Sequence, residues 1–254
     1  MEQTKKVALV TGASMPGGNG RAIALALAKQ GIDVAVTGFS HIEGAQATAD
    51  EIAKLGGRTI AVTMDGRDYQ SVQEAIGRVK EALGPINIVV NNAAQMGHNI
   101  SIAKTTVEEW DNEVKTCLNS AFYCIKETWA DMCSQKWGRI INITSVAGML
   151  GGYGQSSYAA AKAGLISMAK SAALEGARYN ITVNCILVGI VKTEAFTDLL
   201  PPEVQERVAK KTVWGRASET KEIAGAASYL VSEDAQYMTG AVLNMLGGMD
   251  LFVF

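Results

Sequence analysis

Short β-branched runs alternate with longer stretches of helical periodicity along the whole 254-residue chain, and that alternation leaves few folds open. Candidate strands lie near 5–11 (KKVALVT), 33–38 (DVAVTG), 58–64 (RTIAVTM), 86–91 (INIVVN), 138–144 (GRIINIT), 180–186 (NITVNCI) and 241–246 (AVLNML). Helical patterns near 20–30, 43–55, 68–83, 107–134, 156–178 and 220–231 separate them, with Gly31, Gly56 and Gly84 standing where helices stop. Strands that are apolar on both faces and joined through helices belong in a parallel sheet covered on both sides. The expected fold class is therefore α/β, a doubly wound parallel sheet of about seven strands with helices on both faces. No repeat, low-complexity tract or Pro/Ser-rich linker divides the sequence, so residues 1–254 are expected to form a single domain. One stretch, about 187–219, has no regular pattern and contains the Pro201-Pro202 pair. Long loops inside compact domains are usually functional, which makes this one a candidate substrate lid.

Directly after the first strand comes Thr11-Gly12-Ala13-Ser14-Met15-Pro16-Gly17-Gly18-Asn19-Gly20, a glycine-rich turn that enters a helix of small residues. Glycines let the backbone turn sharply and approach phosphates, and the free N–H groups of a helix start supply donors and partial positive charge. A pyrophosphate is expected to rest on Gly12, Ser14, Gly18, Asn19 and Gly20, in a Rossmann-type dinucleotide site. A carboxylate at the end of the second strand would hydrogen-bond the adenosine ribose and repel a 2′-phosphate. Here the tip reads Val36-Thr37-Gly38-Phe39-Ser40-His41, with no carboxylate. That predicts NADP(H), with NAD(H) as the alternative, and places Gly38, Ser40 and His41 or Arg21 around the phosphate.

Composition narrows the partners. With 23 basic against 25 acidic residues the chain lacks the excess positive charge of a nucleic-acid binder. No run approaches the roughly 18 apolar residues of a membrane span. Cys117, Cys124, Cys133 and Cys185 form no C-x-x-C pair and sit in apolar surroundings, which suggests buried free thiols, no metal site and a reducing compartment. The start, MEQTKKVALVTG, passes straight into a strand without a signal-like apolar segment, so a cytoplasmic protein is expected.

In Ser156-Ser157-Tyr158-Ala159-Ala160-Ala161-Lys162, the tyrosine and lysine stand at i and i+4 on one helical face. An ammonium close to a phenol favours the phenolate, so Lys162 is expected to lower the Tyr158 pKa toward acid/base range. The Thr11-Gly12 turn, the Asn91-Asn92-Ala93-Ala94 tetrad after the fourth strand, Ser145 after the fifth and Tyr158-x-x-x-Lys162 follow one another in an order and spacing that resembles the short-chain dehydrogenase/reductase family. Asp65, Val183-Asn184, Gly189, Thr193, Thr239-Gly240 and Gly247-Gly248 extend the resemblance over nearly the whole chain.

The resemblance implies an oxidoreductase that interconverts a ketone or aldehyde and an alcohol by hydride transfer. Tyr158 is then the acid/base, Ser145 orients the substrate oxygen, and Lys162 binds the nicotinamide ribose. Asp65 corresponds to an adenine contact, Asn91 and Ala93 to the cofactor groove, and the backbone of Gly189, Val191 and Thr193 to the carboxamide and diphosphate grip. Two of these have structural readings beside the functional one: Asn91 as a partner for backbone between strands, and Thr193 as a helix start. The resemblance also implies a homotetramer or homodimer built on the fourth and fifth helices and the C-terminal strand, with the apolar ending Met249 to Phe254 at an interface.

Three positions depart from the pattern. Met15-Pro16 lengthens the glycine loop and is expected to bulge outward. Val188-Gly189 stands where the family has Pro-Gly. Cys117 occupies the place of an asparagine that, in the family, supports a proton-relaying water near the lysine, and a thiol is a poor hydrogen-bonding substitute. Asn119 lies about 200° further around an ideal helix and cannot take over unless the helix is bulged.

Gln95, His98, Met149, Tyr153, Phe196 and Trp214 are the residues expected to face the substrate, and their mostly apolar character suits a hydrophobic ketone or secondary alcohol. A 3-oxoacyl-carrier-protein reductase is the neighbouring possibility. It would need a basic docking patch, and Glu194, Glu203 and Glu206 dilute Lys192, Lys210, Lys211 and Arg216. A non-catalytic dinucleotide-binding regulator is the reading from a different class, and Cys117 is the feature that suggests it.

Overall fold

The computed structural model describes residues 5–95 and 99–251. Its strands are β1 (Val7–Val10), β2 (Asp33–Gly38), β3 (Thr59–Thr63), β4 (Ile88–Asn91), β5 (Gly138–Ser145), β6 (Ile181–Val188), β7 (Val191–Lys192), β8 (Ser218–Glu219) and β9 (Val242–Met245). Seven of them form one sheet in the order β3-β2-β1-β4-β5-β6-β9, every neighbour parallel, while β7 and β8 pair separately. The helices are α1 (Asn19–Lys29), α2 (Ile42–Lys54), α3 (Tyr69–Leu83), α4 (Val107–Val114), α5 (Ser120–Gln135), α6 (Ala147–Leu150), α7 (Ser156–Gly176), α8 (Glu194–Leu199), α9 (Pro202–Ala209) and α10 (Thr220–Val231). The Rossmann-type doubly wound fold expected from the alternation is the one found.

Burial explains the strand composition. All four residues of β1 are buried because the sheet is covered on both faces. Ala8 and Val10 join one apolar layer with Ile23 and Leu27 of α1 and Ile223 and Leu230 of α10. Val7 and Leu9 point the other way, to Val72 and Ile76 of α3, Cys124 and Met132 of α5 and Ala169 of α7. Strand order reverses at β1, since the chain winds from β1 through β2 to β3 in one direction and from β4 onward in the other. A crevice opens at such a switch, outside the carboxyl ends of the strands.

Two segments differ from their expected course. Residues 187–219 are largely regular: Thr193 Oγ1 caps α8 by accepting from Phe196 N at 3.3 Å, and Pro202 occupies the first turn of α9, where a missing N–H costs nothing. The long fourth helix is broken into α4 and α5 by a π-helical turn over Lys115–Asn119.

At the start of α10, the Glu222 carboxylate accepts both Arg216 Nη1 and Nη2, at 2.7 and 2.8 Å, and the Glu219 amide at 2.7 Å. The Arg216 fork and that amide hold the Glu222 carboxyl down to about 2, against an ordinary value of 4.5. A depressed carboxyl stabilises the fold above its unfolded pKa, so this contribution is complete above pH 4.5 and drains away toward about pH 2. Glu222→Gln should therefore flatten the acid limb of Tm plotted against pH; an unchanged slope would remove this cluster from the acid response.

Candidate active site

A cleft of about 930 Å³ runs along the carboxyl edge of the sheet. Its walls are the segments that leave the strands: Gly12, Ser14, Gly18 and Asn19 after β1, Gly38 to His41 after β2, Met64 to Arg67 after β3, Asn92 to Gln95 after β4, Ser145 to Ala147 after β5, and Val188-Gly189 with Thr193-Glu194 after β6. Tyr158 and Lys162 of α7 close it.

The glycine loop is shaped by its neighbours. Gly12 has φ +65°, and a Cβ there would lie 2.8 Å from the Ala93 Cα. Thr11 Oγ1 ties the loop to the tetrad by accepting Asn92 N at 3.0 Å and Ala93 N at 2.9 Å, and Asn92 Nδ2 donates to Thr11 O and Gly12 O. Gly20 is buried and does not line the cleft; a Cβ on it would sit 2.6 Å from Gly12 O and Asn92 Nδ2, so it allows the helix to approach. Met15 and Pro16 are exposed, but Met15 also lines the cleft, so the insertion does not simply bulge outward as expected. Helix α1 starts at Gly18 without any side-chain cap, leaving first-turn N–H groups at the cleft.

The central side chains come together. Ser145 Oγ accepts from Ala147 N at 3.2 Å, and Ser145 N donates to Thr144 Oγ1 at 2.6 Å. Lys162 is only 2% exposed; its Nζ donates to Ile143 O at 2.8 Å and lies 5.6 Å from the Tyr158 ring centroid. Of the other expected cofactor positions, Gly12, Ser14, Gly18, Asn19, Gly38, Ser40, His41, Asp65, Ala93, Gly189 and Thr193 line the cleft, whereas Asn91 and Val191 are buried behind it. Asn91 Nδ2 donates to Asn142 Oδ1 at 2.8 Å, bridging β4 and β5. Arg21 faces elsewhere, donating to Pro16 O and pairing with Glu51.

Among expected substrate residues, Gln95 lines the cleft. Met149, Tyr153, Phe196 and Trp214 do not; Tyr153 is 89% exposed and Trp214 75%. His98 lies outside the described residues, as does the ending from residue 252. The cleft adds Asn99, Thr116, Gly151 and Gln155, which come from two separate loops and the π-helical turn and carry no common sequence mark.

Around position 117 the helix is bulged, yet Asn119 does not reach the cleft; Cys117 is the buried residue and Thr116 the lining one. Burial pushes the Cys117 thiol up, while the Lys162 ammonium and the Gln95 main-chain amide draw it back. One turn earlier, the buried Glu113 carboxylate accepts the hydroxyl of Ser157, the residue before Tyr158, and thereby ties α4 to the start of α7. Sequence reasoning passed over Glu113, although its position four residues before Cys117 puts it on the same inward face. With the thiol offering so little hydrogen bonding, a relay here would run through backbone and water. Cys117→Asn should leave kcat within its own order of magnitude, whereas a gain on the order of a hundredfold would show that the side chain had limited proton exchange.

Comparison with known proteins follows the same lines. A family model described as Enoyl-(Acyl carrier protein) reductase matches residues 12–250. The chain is 37% identical to 3-oxoacyl-(acyl-carrier-protein) reductase FabG of Staphylococcus aureus, over 98% of this chain and 99% of the relative. It is 37% identical to Nodulation protein G of Azospirillum brasilense, over 97% and 99%. Among solved structures, a variant of actinorhodin polyketide ketoreductase crystallised with NADPH superposes with a TM-score of 0.90 at 32% identity, covering 98% of both chains.

Proposed function

Because the chain belongs to the short-chain dehydrogenase/reductase family, we propose that it reduces the carbonyl of a small, largely apolar ketone or aldehyde with NADPH. The observation that carries this reading is that Ser145, Tyr158 and Lys162 share one cleft with the uncapped start of α1.

The residues present fit the dinucleotide. Glycines without room for a Cβ bring backbone to the cleft, and the α1 start offers N–H donors and positive potential to a pyrophosphate. When bound, the nicotinamide supplies the hydride that reaches the carbonyl carbon. Tyr158 gives its phenolic proton to the carbonyl oxygen, so that the product leaves as a neutral alcohol. Ser145 donates a hydrogen bond to the same oxygen, and two hydroxyl donors aimed at one atom suit a polarised C=O. Lys162, anchored on Ile143 O, is the cation beside the phenol and the ligand for ribose hydroxyls. In the reverse direction each proton movement is the same step run backward.

Val146, Ala147 and Gly151 line the cleft beside Ser145 and support a substrate with an apolar part, while Gln95, Asn99, Thr116 and Gln155 add polar groups to the same lining. The relative named above acts, by its name, on a 3-oxoacyl group carried by a protein. Here Lys192, Lys210 and Arg216 are paired with Glu219, Glu206 and Glu222, so three of the four candidate docking cations, all but Lys211, are locally neutralised. A free carbonyl compound is therefore the assigned substrate class. The test compares kcat/KM for NADPH-dependent reduction of free ketones with that for a carrier-bound 3-oxoacyl group. Free ketones should be favoured, and a strong preference for the carrier-bound group would overturn the assignment.

Assembly as a homotetramer or homodimer is supported by the exposed Phe122 of α5 and Leu174 of α7, which lie on the expected interface helices. Four free cysteines support a reducing, cytoplasmic setting. No helix among the described residues is long and apolar enough to cross a membrane.

A further inference from the structure

We propose that Arg67, in the loop after β3, recognises the adenosine 2′-phosphate, a role that no lysine or arginine at the tip of β2 fills in this chain. The inference rests on the NADPH reading above and deepens it.

The argument begins with what the adenosine end lacks. The β2 tip, Phe39-Ser40-His41, has neither lysine nor arginine. Arg21 is committed to Pro16 O and Glu51 and does not line the cleft. Of the lysines and arginines that line the cleft, Lys162 is held on Ile143 O beside Tyr158, at the catalytic end, which leaves Arg67. A phosphate with close to two negative charges needs such a partner if it is to be preferred over a hydroxyl.

Arg67 is placed for the task. Its guanidinium carbon lies 5.2 Å from the centre of the Phe39 ring, which sets it against the residue before Ser40. Its Nε and Nη2 donate to the two oxygens of Asp65, at 2.9 and 2.8 Å, and the Arg67 amide adds a third bond at 3.0 Å. This fork fixes the guanidinium and leaves Nη1 for a ligand. It also compensates the one carboxylate on that side of the cleft, which would otherwise repel a phosphate, and the Arg67 hydrogen bonds keep the Asp65 carboxyl below its usual range. The Arg67 side chain is 37% exposed, so an incoming anion reaches it without displacing packed residues.

A rival role is that Arg67 and Phe39 make a platform for the adenine ring, which NADH and NADPH share. Dissociation constants separate the two without any turnover. For the full-length protein, Arg67→Ala and Arg67→Lys, Kd is measured for NADPH and NADH by fluorescence, with 2′-AMP and 5′-AMP as competing probes. Arg67→Ala should raise the NADPH Kd by roughly tenfold or more, leave the NADH Kd nearly unchanged and abolish the advantage of 2′-AMP over 5′-AMP. Arg67→Lys, which keeps the charge and loses the fork, should fall between. Parallel weakening of both cofactors, or no change in either, overturns the proposal. If the unaltered protein shows no preference for NADPH, the cofactor reading fails first and takes this inference with it, a result visible before any variant is made.

Discussion

Tyr158→Phe should lower kcat by a factor on the order of 10²–10⁴ while the dissociation constant for NADPH stays close to that of the unaltered protein. The substitution removes one hydroxyl from a ring already fixed in α7, so neither the cleft nor the contacts of Lys162 with Ile143 O need change. What is lost is the proton that must reach the carbonyl oxygen as hydride arrives at carbon. Single-turnover kinetics with measured cofactor affinity checks both halves. A mutant that keeps more than about a tenth of the activity would mean that Ser145 or water delivers the proton, given the usual size of a general-acid contribution.

The second large effect is expected away from the chemistry, at Gly44. This residue lies in the first turns of α2, and a Cβ on it would overlap the carbonyl oxygen of Ser14 in the glycine loop. The same contact is tightened by Thr48 Oγ1, which donates to Ala13 O at 2.9 Å and to Gly44 O at 3.0 Å. Backbone therefore packs on backbone, and a methyl group cannot be absorbed by rotating a side chain. Gly44→Ala should cost about 1–3 kcal/mol of stability, roughly 2–4 °C in Tm for each kcal/mol in a chain of this size. It should also weaken NADPH binding, because Ser14 lines the cleft. Gly77→Ala is the control: Gly77 lies inside α3 with open space where its Cβ would go, and there the greater helix propensity of alanine should be neutral or stabilising. Equal behaviour of the two variants in thermal melts and cofactor titration would contradict the packing argument.

The sheet could be read from the sequence because its strands are buried on both faces, which forces continuous β-branched runs such as VALV in β1. The family followed from motifs at strand ends, where geometry demands particular residues: glycine where Gly12 meets Ala93, and Thr11 where its hydroxyl joins two loops. Less was legible where a role depends on distant chain segments meeting. Arg67 gains its meaning from Phe39 and Asp65 together, and nothing in the run Asp65-Gly66-Arg67-Asp68 announces it. Glu113 acquires a partner only once α4 packs on α7. Short helices in 187–219 escaped detection because Thr193 and Pro202 are their only signals, over segments too brief to show periodicity. The exposed apolar residues Tyr153 and Trp214 look in sequence like pocket walls, since hydrophobicity alone does not say which way a loop faces.

The most direct test of the central claim follows the hydride itself. The protein is incubated with NADPH deuterated at the transferable position of the nicotinamide C4 and with a panel of apolar ketones, and the products are analysed by mass spectrometry. The account predicts an alcohol carrying one deuterium on the carbinol carbon, formed in step with cofactor oxidation and lost in Tyr158→Phe. Tight NADPH binding without turnover of any carbonyl compound would contradict it, and would point to a protein that keeps the fold to sense the dinucleotide.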